Sequence, residues 1–195
     1  FYFVTVVGSL GCLDTDSIFV EEPALLEVTN INVENVSCNG ANDGELTVIH
    51  TGGRAPYTYA WDDANSQNGS TAIGLSPGSY SVTVTDSSGC VAVSNAVITE
   101  PDVLEITSIS SDSTLCFGQA DGFVYLTVAG GTPTYNFNWS FGGVNANTNA
   151  PAGLHTVNVT DLNGCTVDSM VMVDQPNEII ASFMKDSVSC QGLAD

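Results

Sequence analysis

Two histidines, six cysteines and a recurring set of aspartates are the side chains that could do chemistry in this chain of 195 residues. Nucleophilic catalysis needs a Ser or Cys within reach of a His that an acid holds in place. Only His50 and His155 are available, and aligning the internal motifs puts His50 in the place of Val128 and His155 in the place of Tyr80. Both therefore read as substitutions at structural positions, and no catalytic residue is assigned. No two cysteines form a C-x-x-C pair and neither His lies near a Cys, so the spacing for zinc is missing. Asp43, Asp121 and Asp195 recur in one turn, and Asp86 and Asp161 in another. Calcium wants six to eight oxygens, and no loop supplies a dense D-x-D-x-D run. An Asx-turn, in which the carboxylate accepts from nearby backbone N–H groups, is the expected role. Calcium at Asp43, Asp121, Asp86 and Asp161 is the metal alternative, and no other cofactor is expected.

Charge narrows the partners. There are 22 acidic and 2 basic residues, a net charge of −20. Binding phosphate needs clustered Lys and Arg, so nucleic acid is not an expected partner. An anionic membrane would repel the chain for the same reason, and no apolar run reaches the roughly 18–20 residues of a membrane span. Yet 43% of residues are hydrophobic, which argues for a packed core rather than an acidic tail. The regular placement of the cysteines suggests an oxidising compartment.

The elements that position these residues repeat. Cys38-Asn-Gly-Ala-Asn-Asp43-Gly44 returns as Cys116-Phe-Gly-Gln-Ala-Asp121-Gly122 and as Cys190-Gln-Gly-Leu-Ala-Asp195. Tyr80-Ser-Val-Thr-Val-Thr-Asp86-Ser-Ser-Gly89-Cys90 returns as His155-Thr-Val-Asn-Val-Thr-Asp161-Leu-Asn-Gly164-Cys165. A poorer copy runs from Tyr2 to Cys12, with Val7 taken as standing where the Asp should be. Trp61 and Trp139 are 78 residues apart, and Cys90 and Cys165 are 75 apart. Each unit closes on Glu-Pro or Gln-Pro (Glu22-Pro23, Glu100-Pro101, Gln175-Pro176). The expected division is the end of one repeat over 1–23, complete repeats over 24–101 and 102–176, and the start of a fourth over 177–195, a window on a longer array.

Within a repeat, side chains alternate with the period of a strand. Leu46 and Val48 share one face, Tyr57, Tyr59 and Trp61 a second, and Tyr80, Val82 and Val84 a third. Gly52-Gly53, Pro77-Gly78 and Ser88-Gly89 mark turns between them. The fold class is all-β: tandem immunoglobulin-like sandwiches of about seven short strands, with Trp61 on strand C and Tyr80 on strand F in immunoglobulin lettering. The aromatic stripe should fill the core rather than stack on sugar. Strand direction then bears on the cysteines. Cys38 follows strand A and Cys90 follows strand F, which places them at opposite ends of one sandwich, about 20 Å apart, whereas a disulfide needs Cα atoms within about 7 Å. Cys38–Cys165, between repeats, is favoured. Pairing within repeats (Cys38–Cys90, Cys116–Cys165) is the alternative.

The stretches Gly52-Gly53-x-x-Pro56-Tyr57-x-Tyr59-x-Trp61 and Leu75-x-Pro77-Gly78-x-Tyr80-x-Val82-x-Val84-x-Asp86-x-x-Gly89-Cys90 resemble the SprB-type repeat of Bacteroidetes surface adhesins. They are similar also to the wider polycystic-kidney-disease (PKD) class of immunoglobulin-like domains. The second repeat departs at His155 and at Pro133, which comes one place early. The resemblance implies an extracellular, cell-surface filament serving adhesion or gliding motility, exported by type IX secretion. It implies neighbouring repeats as the first partners, with surface polysaccharide or other cells beyond them, and no insertion into the membrane. It also implies O-glycosylation at Asp-Ser motifs, with Ser17, Ser113, Ser169 and Ser187 as candidates. The other reading is a spacer or carbohydrate-binding domain of a secreted polysaccharide-degrading enzyme.

Overall fold

The computed structural model describes residues 1–184. Strands separated by glycine-bearing turns make up the regular structure, and among the described residues there is no helix. β1 (Tyr2–Val7) and β2 (Leu13–Ile18) form an antiparallel hairpin. Six strands then build a first sandwich: β3 (Glu27–Glu34), β4 (Gly44–Thr51), β5 (Thr58–Trp61), β6 (Thr71–Leu75), β7 (Gly78–Thr85) and β8 (Val91–Ile98). Six more build a second: β9 (Glu105–Asp112), β10 (Gly122–Ala129), β11 (Asn136–Trp139), β12 (Thr148–Ala150), β13 (Gly153–Thr160) and β14 (Thr166–Val173). The chain divides into two compact units, Phe1–Glu100 and Pro101–Asp195.

Each sandwich sets two three-stranded sheets face to face. The orders are β3-β4-β6 and β5-β7-β8 in the first, and β9-β10-β12 and β11-β13-β14 in the second. Every pairing is antiparallel. In immunoglobulin lettering β3 to β8 take the places A, B, C, E, F and G. The fold is therefore all-β and immunoglobulin-like, with six strands per sandwich rather than about seven.

The missing strand has a local cause. Residues 62–70, between β5 and β6, fold onto Trp61 and Asp63 instead of pairing as an edge. Trp61 N–H donates to Gln67 O at 3.1 Å and its indole Nε1–H to Gly69 O at 2.9 Å. Buried Asp63 accepts from Asn65 N and Gln67 N at 3.0 and 2.9 Å. The second sandwich shortens this loop. Trp139 donates to Gly143 O and Asn145 O at 3.1 and 2.9 Å. Trp61 and Trp139 are 78 apart while Gly78 and Gly153 are 75 apart, so the length difference between the repeats lies between these points: in this loop, and in β6, where the pairing skips Gly74 and β12 has no such bulge.

The alternation predicted from sequence sets both cores. Leu46, Val48, Trp61, Val82, Val84 and Ile98 are buried in the first, and Val124, Leu126, Trp139, Val157, Val159 and Val173 in the second. Tyr57, Tyr59 and Tyr80 are half-buried against the first core. Fully burying each such aliphatic side chain contributes about 1.5–3 kcal/mol. This is how a unit under 80 residues can hold its own shape.

Candidate functional sites at the ends of each sandwich

At one end of the first sandwich the chain leaves β4 through Gly52-Gly53 and returns under β7. Both glycines have positive φ, 71° and 65°. A Cβ on Gly52 would lie 1.9 Å from Leu25 O, a distance no side chain tolerates. The approach lets Gly53 N–H bond Ala24 O at 2.8 Å, and Tyr57 Oη–H bond Gly52 O at 2.8 Å. Asp86 closes the knot. Its Oδ2 accepts from Arg54 N at 2.9 Å, and its Oδ1 from Ser88 N and Cys90 N at 2.8 and 2.9 Å. Burial alone would raise the Asp86 carboxyl, but the N–H groups of Cys90, Arg54, Ser88 and Gly89 outweigh it and hold it below the ordinary value.

The second sandwich repeats the knot. Gly130 and Gly131 have φ of 72° and 59°, Tyr135 Oη–H donates to Gly130 O at 2.7 Å, and Thr132 N donates to Asp161 Oδ2 at 2.7 Å. Asp161 Oδ1 accepts from Asn163 N and Cys165 N, each at 2.9 Å. Burial again pushes the Asp161 carboxyl up, and the N–H groups of Thr132, Cys165, Asn163 and Gly164 bring it below its ordinary value. In β1–β2 the same turn forms with no carboxylate: Gly8 N donates to Cys12 O at 2.8 Å, as Asp86 N does to Cys90 O at 3.0 Å. That register puts Gly8, not Val7, in the aspartate's place, correcting the expectation at Val7.

The opposite end carries the other cysteine motif. Ala41 N–H bonds Cys38 O at 3.0 Å, and Gln119 N–H bonds Cys116 O at 3.2 Å, over Gly40 and Gly118 at φ 75° and 74°. Asp43 Oδ1 accepts from Ser37 N at 3.0 Å and Asp121 Oδ1 from Leu115 N at 3.1 Å. Hydrogen bonding from Ser37, side chain first and then backbone, holds the Asp43 carboxyl below its ordinary value. Glu100 Oε2 accepts from Gly40 N at 2.8 Å, and Gln175 Oε1 from Gly118 N at 3.0 Å. The Glu-Pro and Gln-Pro closures are thus clasps that tie the end of β8 or β14 to the cysteine turn. A carboxylate and an amide oxygen serve equally, because each need only accept.

The calcium candidates Asp43, Asp121, Asp86 and Asp161 all have oxygens engaged by backbone N–H groups: Asp86 and Asp161 in Asx-turns to Ser88 and Asn163, Asp43 and Asp121 by the N–H groups of Ser37 and Leu115, six residues earlier. Among the described residues no three His, Cys, Asp or Glu side chains converge as a metal site. Asp195 lies outside the described residues.

Cys38 and Cys90 stand at opposite ends of the first sandwich. Cys38 sits in the turn clasped by Glu100, beyond the end of β8, and Cys90 immediately precedes β8. Eight residues of strand separate them, about 25 Å. Cys12, Cys90 and Cys116 are exposed, free thiols. The alternative pairings Cys38–Cys90 and Cys116–Cys165 are therefore not formed, and the strand length between the two ends is the reason. Cys38 and Cys165 are not free. Cys90 borders a cleft of about 330 Å³ with Pro23, Leu25 and Val91. Cys116 borders one of about 370 Å³ with Leu115, Phe117 and Ile179.

Both histidines have structural partners. His155 Nε2 lies 2.8 Å from Pro151 O, so this nitrogen carries a proton and donates. Tyr80 Oη–H donates to Ser76 O at 2.9 Å, the same carbonyl one repeat earlier. His155 therefore stands in for Tyr80 bond for bond, with Phe141 against its ring at 4.8 Å. His50 Nε2 bonds Tyr59 Oη at 2.9 Å and its ring lies 4.3 Å from that of Tyr57. Of the glycosylation candidates, Ser17 and Ser113 are exposed, Ser169 is half-buried in β14 opposite Val157, and Ser187 lies outside the described residues. The sequence reasoning missed Asp63 and Gln67, which have no counterpart in the second repeat, where Phe141 stands in the place of Asp63.

The SprB repeat family model matches residues 30–66 and 108–144. No curated protein matches the sequence. Among solved structures, the chain is similar to Sidekick-1 immunoglobulin domains 1–5, with 13% identity and a TM-score of 0.38 over 90% of this chain and 46% of that one. It is similar to the N-terminal eight Ig domains of Down Syndrome Cell Adhesion Molecule, with 16% identity and a TM-score of 0.38 over 90% and 26%. It is also similar to a tetra-tandem repeat in the extending region of a large adhesion protein, with 14% identity and a TM-score of 0.25 over 89% and 55%. The chain thus spans under half the length of the first two and about half of the third.

Proposed function

We propose that this chain, which carries SprB repeats at residues 30–66 and 108–144, is a repeat segment of a long secreted protein displayed on a bacterial cell surface, where it serves as an adhesive or filament shaft. The carrying observation is that the same knot, clasp and core recur in both sandwiches, while both histidines and the recurrent aspartates Asp43, Asp86, Asp121 and Asp161 are engaged in hydrogen bonds that hold the fold. The repeat units on this reading are 24–101 and 102–176, flanked by parts of others in 1–23 and 177–195. Sandwiches that each bury their own core give length without chemistry.

Joints between repeats would be closed by disulfides running from the cysteine turn of one sandwich to the aspartate-end cysteine of another. Cys38–Cys165 is such a pair, supported by the opposite ends they occupy in their own sandwiches and by neither being free. Cys90 and Cys116 would then bond to further repeats, at clefts open to receive them. Export by a type IX system, a part in gliding, and O-glycosylation at exposed Ser17 and Ser113 complete the proposal. Half-buried Ser169 fits poorly, since a bulky glycan needs the surface.

Protease shaving of intact cells followed by mass spectrometry tests this. Cleavage at acidic residues suits the chain, with 22 Asp and Glu against 2 Lys and Arg. The expected result is peptides from 24–176 released without lysis, with added sugar mass on those holding Ser17 and Ser113. Peptides found only after lysis would overturn the surface reading, and unmodified Ser17 and Ser113 would overturn the glycan assignment.

A further inference from the structure

The outer face of β10 differs between otherwise matching sandwiches. Val124 and Leu126 point into the core, so Phe123 and Tyr125 point outward. Their ring centroids are 4.9 Å apart with planes at 53°, and Tyr125 is 43% exposed. Tyr125 Oη–H donates to Asp112 Oδ2 at 2.8 Å, which fixes the ring in place. In the register of the sheet, Phe123 lies opposite Asp112 on one side and Asn149 on the other, and Tyr125 lies opposite Ser110. Asp112, Ser110 and Asn149 are all exposed. The face is thus two adjoining aromatic rings bordered by a carboxylate, a hydroxyl and a carboxamide.

The fold does not require these rings. The first sandwich has Glu45 and Thr47 at the same two positions, where Thr47 Oγ1 meets Thr71 Oγ1 at 2.9 Å and Glu45 Oε1 at 3.4 Å. Nor do the rings stabilise the sheet by apolar cross-strand pairing, because the residues opposite them are polar. An exposed tyrosine against a half-buried phenylalanine, with hydrogen-bonding neighbours, suits a ligand with an apolar face and a polar rim. A pyranose ring has that character: its C–H face covers an aromatic ring and its hydroxyls reach the rim. The net charge of −20 and Asp112 at the rim disfavour polyanions.

We propose that Phe123 and Tyr125, with Asp112, Ser110 and Asn149, form a binding platform for neutral polysaccharide on the second sandwich. This deepens the adhesive reading by naming the class of partner, and it rests on that reading for its setting.

Native electrophoresis of the purified chain through gels containing a neutral glucan, a galactomannan or alginate tests it. The platform predicts retardation by at least one neutral polysaccharide and none by alginate. F123E/Y125T, which installs the residues the first sandwich already uses, should weaken that retention about tenfold or more. Its melting temperature should stay within a few degrees of the parent. If the double variant melts much lower, Tyr125→Thr alone replaces it, with weaker retention still expected. No retardation by either neutral polymer, equal retardation of parent and variant, or stronger retention by alginate would overturn the platform. Those failures leave peptide release from intact cells untouched. Failed release would sink the surface reading whatever the gels show.

Discussion

The phenol of Tyr80 and the imidazole of His155 reach the same carbonyl in successive repeats. A histidine that looks chemical in a sequence is here one N–H donor in place of an O–H donor. The aspartates follow the same logic, with buried Asp161 surrounded by N–H donors. Because its folded-state pKa is depressed, the stability it contributes is complete above the unfolded value of about 3.9 and is lost as pH falls through the folded pKa. Melting the chain across pH 7 to 2 should show that loss below about pH 4. Asp161→Asn should melt lower at pH 7 and lose less on acidification, because its amide does not titrate. A parent that melts no lower at pH 2 than at pH 7 would contradict this account of Asp161. At this scale the motif aspartates were legible, since recurrence at fixed spacing marks a structural position. Asp63 was not, because it acts in one repeat only, and neither was the outward placement of Phe123 and Tyr125, which depends on which face of β10 the core takes.

Among elements, the sheets were readable and the connections were not. Alternation of Leu46 with Thr47 and of Val82 with Thr83 places the strands, because a period of two sorts side chains between core and solvent. No such period exists in 62–70, where Trp61 and Asp63 gather the backbone into a loop, so a seventh strand was expected and six were found. The Gly-Gly turns are the least substitutable connections. A Cβ on Gly130 would fall 1.8 Å from Val103 O at a φ of 72°. Gly130→Ala should therefore lose about 3 kcal/mol or more of stability, read as a fall in urea midpoint at unchanged slope. Gly164, with φ of 88° but open space around it, should lose only about 1–2 kcal/mol on the same change. Equal losses at the two sites would show that close approach of the Val103 carbonyl is not what restricts Gly130.

For the whole molecule, the division into two units and the recurrence of their parts support a modular array. Pairing of cysteines was open in the sequence because spacing alone allows several choices. Strand direction removes those within a repeat, since a strand of eight residues is several times longer than a disulfide can span. A bond closing a loop of more than a hundred residues would stabilise the folded array by about 4–5 kcal/mol in the chain-entropy model. The claim that the sandwiches are covalently joined repeat to repeat is tested most directly by mapping disulfides in native protein, with free thiols blocked before extraction and cleavage at acidic residues without reductant. The account predicts one linked pair of peptides containing Cys38 and Cys165; finding both residues blocked as free thiols, or Cys38 linked to Cys90, would contradict it.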